Sequence, residues 1–457
     1  MAIETANYSF SDLLSNIVDN RGKTCPVAED GLPLIATNCV KNETLFPMFE
    51  KVRYVDKETY DNWFRGHPEP GDMIFVTKGS PGNVCWTPDP VNFCIAQDMV
   101  AIRANPEIVD SKYLFALLRS RRTQHSILNM HVGTLIPHFK KGDFKNLYFD
   151  IPRDLGLQRS IGETYFAFCE KIELNRQMNF TLEGMAQALF KSWFVDFDPV
   201  IDNALAADNP IPDSLKALAE SRKAQGEQRK PLPEAIQNRF PNRFAFNDDL
   251  GWVPEGWDPV PLGEYVTVKR GGSPRPIHDY LVDDGLPCVK ISDATASDSR
   301  FLMGTKQFIK PEGLSKTVKL KKGELILSNS ATPGIPKFLN LDACIHDGWL
   351  YFPKKKLFTD NYLYQLFLVI RDALLSQGNG SVFTNLKTDI LKNHCVVVPN
   401  KLLLEAAESR FDEIKQRCLL IQEQTESLTK TRDTLLPKLL SGQLRIPEAE
   451  QQVAEAL

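Results

Sequence analysis

The chain carries two copies of one pattern, and this duplication limits its fold more than any other feature. Asp30-Gly31-Leu32-Pro33 returns 254 residues later as Asp284-Gly285-Leu286-Pro287. Gly71-Asp72-Met73-Ile74, followed by Pro81-Gly82, returns after 252 residues as Gly323-Glu324-Leu325-Ile326, followed by Pro333-Gly334. Tyr113-Leu114-Phe115 is answered after 249 residues by Tyr362-Leu363-Tyr364, and Ile151-Pro152 after 247 by Val398-Pro399. The offset drifts in one direction and the motifs keep their order, as expected of two copies separated by small loop insertions and deletions. Each motif is a turn beside an apolar run, so each copy reads as a mixed α/β unit of roughly 150 residues.

A helical period follows each copy. Ile161, Tyr165, Phe168, Ile172, Asn175, Asn179, Leu182, Ala186, Leu189 and Trp193 alternate steps of four and three. Leu404, Ala407, Phe411, Ile414, Cys418, Ile421, Thr425, Leu428, Arg432, Leu435 and Leu439 alternate three and four. Both are a/d seams of long helices that need a partner. The expected architecture is therefore mixed α/β, with two tandem globular domains separated by two long antiparallel coiled-coil helices and pseudo-two-fold symmetric. The divisions read 1–155, first globular domain; 156–198, central helix; 199–256, linker; 257–399, second globular domain; 400–445, C-terminal helix; and 446–457, tail. Pro, Asn, Asp and charged residues make 199–256 read as a surface linker, partly disordered. A helix of about 37 residues spans roughly 55 Å, comparable with one to two turns of B-DNA.

Composition excludes few functions. A formal net charge of −4 gives no global basic signature, but nucleic-acid binding depends on where Lys and Arg cluster. Nine scattered cysteines without a Cys-x-x-Cys pair fit neither a disulfide framework nor a zinc site. Met1 to Phe10 has no signal pattern, and the longest apolar stretch, Tyr362 to Ile370, is too short for a bilayer, so a cytoplasmic protein without a membrane partner is expected.

Catalytic motifs are missing from the sequence. It has no Pro-Pro pair, hence no Asn- or Asp-Pro-Pro-aromatic motif, no Gly-x-x-x-x-Gly-Lys-Ser/Thr cradle and no strand-borne Gly-x-Gly-x-x-Gly turn. Glu413-x-Lys415 falls on the helical seam region and Asp143-x-Lys145 in a basic loop, so neither reads as a nuclease cluster. His346-Asp347 stands where the first copy has Gln97-Asp98; only the carboxylate recurs, as a turn-capping Asp would.

Three segments bring in a known family. Leu189-Phe190-Lys191-Ser192-Trp193-Phe194-Val195-Asp196-Phe197-Asp198-Pro199, then Leu250-Gly251-Trp252-Val253-Pro254-Glu255-Gly256-Trp257, and finally Leu436-Pro437-Lys438-Leu439-Leu440-Ser441-Gly442-Gln443-Leu444 resemble the specificity subunits of type I restriction-modification enzymes. The resemblance covers nearly the whole chain. It implies a non-catalytic subunit that reads a split double-stranded DNA target, one half per target-recognition domain, and docks two modification subunits, with restriction subunits joining them. No cofactor is expected on this chain; S-adenosylmethionine, ATP and Mg belong to the partners. The residues alone leave two other functions open, a free-standing methyltransferase/nuclease fusion and a coiled-coil scaffold without DNA specificity.

DNA contacts are sought in turns carrying basic, amide and hydroxyl groups, because Lys and Arg pair with phosphate or guanine and Asn and Gln with adenine. In the first copy these are Lys78, Ser80, Asn83, Arg121, Arg122, Thr134, His138, Lys140 and Lys141, with Arg119 extending the basic run. The second copy offers Asn329, Lys337, Asn379, Ser381, Thr384, Asn385 and Lys387. Candidates for the seam or for docking partners are Ile161, Phe168, Ile172, Leu182, Leu189, Phe190, Trp193, Phe194, Phe411, Ile414, Ile421, Leu428, Leu435 and Leu439.

Overall fold

The computed structural model describes residues 4–20, 24–130, 137–226, 230–377 and 385–443. The chain divides into two units, Met1–Met178 with Gln422–Leu457, and Asn179–Ile421.

The first unit is built on a four-stranded antiparallel sheet in the order Leu14–Val18, Met99–Ala104, Met73–Val76, Val84–Trp86. Beside it, Leu32–Ile35 pairs antiparallel with Arg53–Val55 and parallel with Cys94–Ile95. Thr5–Ser9 pairs with Tyr148–Pro152, so the ends of the globular part meet. Met73–Val76 is buried at every position, which explains its unbroken apolar run. The core gathers Phe10, Phe75, Phe139 and Phe144, with the Phe10 and Phe144 ring centroids 4.5 Å apart.

The second unit repeats this plan with additions. One five-stranded sheet runs Val266–Arg270, Trp349–Lys355, Leu325–Ser328, Pro336–Leu339, Phe301–Leu302. In the other, Leu286–Val289 lies parallel to Ala343–Ile345, as Leu32–Ile35 does to Cys94–Ile95 in the first unit. Asp258–Pro261 pairs with Cys395–Val398. The repeated Asp-Gly-Leu-Pro has a steric cause. A Cβ on Gly31 would stand 2.2 Å from the Val55 carbonyl oxygen, and one on Gly285 2.7 Å from that of Ile309, so each glycine lets a neighbouring strand close in.

The helical periods become two 40-residue helices, Leu155–Phe194 and Lys401–Leu440. Every residue of both predicted seams is buried or half-buried. Within the first unit the helices run antiparallel: Asn175 donates to Gln424 Oε1 at 3.0 Å and to Thr425 Oγ1 at 3.2 Å, whereas Cys169, six residues earlier, meets Arg432. Leu428, Leu435, Leu436 and Leu439 join the core that holds Phe115, Tyr165 and Phe168. Within the second unit Phe190 packs on Phe411, centroids 6.2 Å apart, and on Tyr362 at 5.1 Å.

The described part of 199–256 is more regularly structured than its polar composition suggests. The described part contains helices Asp198–Ala206, Lys216–Gln225 and Glu234–Gln237, then a hairpin of Phe244–Asn247 with Gly251–Pro254. Val200, Ile201 and Ala204 are fully buried, and Val200 shares a core with Phe240 and Trp257. Arg222 reaches Asp198 at 2.8 Å and Asp202 at 2.6 Å, tying the Lys216–Gln225 helix to the preceding one. Polar composition concealed a few well-spaced apolar anchors.

No described helix is long and apolar enough to cross a membrane. All nine cysteines are free, eight of them buried.

Phe411 is fully buried against Phe190. Phe411→Ala should lower the unfolding free energy by about 3–5 kcal/mol, read as a fall in the urea midpoint.

Candidate nucleic-acid interface

Two loops meet at one end of the first unit's sheet. After strand Met73–Val76 the chain turns at Gly79, whose N–H donates to the Pro137 carbonyl at 3.0 Å. Phe139 N–H donates to the Thr77 carbonyl at 2.9 Å, and Lys78 and His138 form an isolated antiparallel bridge. Phe139 is fully buried, and this anchor fixes its polar neighbours at the surface. Ser80 and Lys140 are exposed, and Lys78 and His138 half-buried. Lys78 lies 3.7 Å from Asp98, and Lys141 3.3 Å from the nearly buried Asp19. Arg121 and Arg122 are exposed at the start of helix Arg121–Met130, whose Gln124 donates to the Gly82 carbonyl at 2.8 Å. Lys78, Ser80, His138, Lys140 and Lys141 are thus brought together, with donors suited to phosphate or base edges.

The second unit makes the same join with other side chains. Leu386 N–H donates to the Asn329 carbonyl at 2.6 Å, and Ser330 and Asn385 form the matching bridge. Leu386 is buried, while Asn385 and Lys387 are exposed. Asn385 and Lys387 therefore stand where His138 and Lys140 stand in the first unit.

Three candidates, Lys337, Asn329 and Arg119, prove buried, and Asn83 is half-buried. Lys337 is 4% exposed on a strand buried at all four positions, and its ammonium donates to the carbonyls of Ser297, at 2.8 Å, and Ser299. Burial pushes it down to about 8. It is a structural lysine. Asn329 is 2% exposed and its amide donates to the Asp347 carbonyl at 3.3 Å. Asn83 uses its amide on the Val40 carbonyl at 3.0 Å. Arg119 is buried over the Phe115 ring, at 4.4 Å, and donates to the carbonyls of Val84, Lys41 and Thr44. Thr134, Asn379, Ser381 and Thr384 lie outside the described residues.

The docking candidates also turn inward. Ile161, Phe168, Ile172, Phe190, Trp193, Phe194, Phe411, Leu428, Leu435 and Leu439 are buried in the chain's own cores, and Leu182, Leu189, Ile414 and Ile421 are half-buried. The exposed large apolar side chains of the central helix are others: Leu155 at its start, then Leu174, Met178, Phe180 and Met185. They sit off the seam, where a seam-based reading does not look.

Sequence reasoning also missed Arg270, Ser273 and Arg275, which converge on Asp347. The recurrence of Arg21-Gly22 as Arg270-Gly271 was the available signal. His346 is held below its ordinary value by burial, against the pull of Asp347, and its Nδ1 accepts from Gly348 N–H at 2.8 Å. Among the described residues no group of three or more His, Cys, Asp or Glu could hold a metal ion.

A family model described as the type I restriction modification DNA specificity domain matches residues 32–183 and again 254–402, well over half of the chain. The type I restriction enzyme HindI specificity subunit of Haemophilus influenzae is 26% identical over 417 residues, covering 82% of this chain and 86% of its own. The MjaIX specificity subunit of Methanocaldococcus jannaschii is 23% identical, covering 74% and 70%. A crystal structure of a type I restriction-modification S subunit from M. genitalium superposes with a TM-score of 0.53 at 15% identity, over 96% of each chain. At that identity the likeness is one of fold.

Read as a phosphate contact, the exposed Lys140 predicts that Lys140→Ala weakens duplex binding almost uniformly across sequences and lowers the log-log salt slope by about one. Lys337→Met should leave that slope unchanged in the same titration.

Proposed function

Because the chain belongs to the type I restriction-modification DNA specificity family, we propose that it reads a bipartite, asymmetric duplex target, one half with each unit, and brings two modification subunits and the restriction subunits to it. The observation that carries this reading is the repeated loop join with unlike side chains, Lys78 and His138 in one unit and Ser330 and Asn385 in the other. A common backbone offers each half-site the same approach. Different donors and acceptors give each a different sequence. Methyl transfer and cleavage are supplied in trans, with S-adenosylmethionine, ATP and Mg on the partner subunits. Each unit offers exposed apolar side chains to the modification subunits, Leu174 and Met178 in the first and Phe180 and Met185 in the second.

In this reading the paired helices set the length of the unspecified spacer between the half-sites. Methylome sequencing of cells with and without the gene should reveal one motif that depends on it, with two half-sites of unlike sequence; a perfect palindrome would contradict the proposal. Seven residues inserted after Asn175 and after Gln422 keep the seam phase and add about 10 Å of helix, near three base pairs. The methylated motif should then keep both half-sites and gain spacer only, and an unaltered spacer in an active complex would contradict the ruler.

A further inference from the structure

In the second unit one carboxylate organises a loop that the proposed function leaves unexplained. Asp347 lies in the turn between strands Ala343–Ile345 and Trp349–Lys355, next to the Ser330–Asn385 bridge: a Cβ on the following Gly348 would stand 2.6 Å from Ser330 Oγ. Ser273 Oγ donates to its Oδ1 at 3.1 Å and Arg275 Nη2 to its Oδ2 at 2.7 Å. Its main-chain carbonyl accepts from Arg270 Nε and from Asn329 Nδ2 at 3.3 Å. Burial opposes ionisation, but the bonds from Ser273 and Arg275 and the charges of Arg275 and Arg270 hold this carboxyl below its ordinary value.

The loop that presents Arg275 is fixed at its base. Gly271 N–H donates to the Trp349 carbonyl at 2.9 Å and Gly272 N–H to that of Ile345 at 3.2 Å. Pro274 is buried, and with Pro276 it restricts the backbone on both sides of the arginine. Arg275 nevertheless exposes 77% of its side chain. An exposed arginine is ordinarily a flexible surface cation; this one is tethered at one nitrogen and keeps the rest of its donor fork turned outward.

We propose that Arg275 reads a guanine in the half-site bound by the second unit, and that Asp347 is the residue that positions it. The assignment rests on the reading of the chain as a split-target DNA reader. Charge decides between base and backbone. An arginine bonded to a carboxylate has its charge compensated and brings a negative group towards any phosphate, so it is a poor site for counterion release. Its remaining N–H groups still match guanine O6 and N7, a bidentate contact that needs geometry more than net charge. Holding the fork in place beforehand lowers the ordering cost on binding. The first unit builds its corresponding carboxylate otherwise: Asp98 faces Lys78 Nζ at 3.7 Å, and an ammonium cannot offer a planar fork.

The test uses the complete modification complex in cells and, purified, on a panel of duplexes that each carry one base-pair change in the target. Wild type should methylate a motif with a G·C pair in the half-site that these substitutions affect. Arg275→Ala should admit other pairs at that single position, and Arg275→Lys should keep the salt slope while losing about 5- to 150-fold of discrimination there. Asp347→Asn should relax the same position by less, with Arg275→Lys and Asp347→Asn melting near wild type. An unchanged motif in the Arg275 variants would overturn the assignment. So would a uniform loss across the panel with a slope lower by about one, the mark of a phosphate contact. A wild-type complex with no split motif would overturn the parent reading itself.

Discussion

The structure depends on an apolar contact between parts of the chain far apart in sequence. In the first unit, Leu428, Leu435, Leu436 and Leu439 complete a core whose other members all come from the first 172 residues. In the second, Phe190, Trp193 and Phe194, from the central helix, complete a core with Tyr362, Leu404 and Phe411. Each fully buried large apolar side chain contributes about 1.5–3 kcal/mol, so the borrowed helical segment is a substantial part of each unit's stability. The dependence is mutual. Helices this long, with polar residues on most faces, draw their order from packing rather than from intrinsic propensity.

Burial sorts the cations by role. Arg119, Arg432, Arg300 and Lys337 are nearly inaccessible and are satisfied internally: Arg119 by carbonyls, Arg300 by Glu183, Arg432 by Asp433, and Lys337 by the Ser297 and Ser299 carbonyls. Removing such a partner leaves a costly uncompensated charge. Lys140, Arg121, Arg122 and Lys387 lie at the surface, where phosphate can replace water. The net acidity of the chain is thus compatible with local basic edges.

The duplication and both seams were legible because they are periodic, and period survives changes of individual residues. The roles of single polar residues were less so. Lys337 stands between Pro336 and Phe338 in a strand buried on both faces, where alternation gives no warning of an inward lysine. Arg119 ends an apolar helix and follows Phe115 by one turn, so its cation lies back over that ring rather than with Arg121 and Arg122. Asn329 and Asn385 flank one backbone bond, from Leu386 N–H to the Asn329 carbonyl, yet Asn329 is buried and Asn385 exposed. The structure of the described part of 198–256 was hidden because Val200, Phe240 and Trp257 share a core only in three dimensions.

If each unit reads its own half of one DNA target, the two halves can be exchanged independently. The most direct measurement replaces residues 257–399 with the corresponding segment of another member of the family, keeping both helices, and sequences the methylome of cells carrying the chimera. The chimera's motif should have one new half-site and keep the other, with the spacer. A motif changed in both halves, or unchanged in both by an active chimera, would contradict separate reading by the two units.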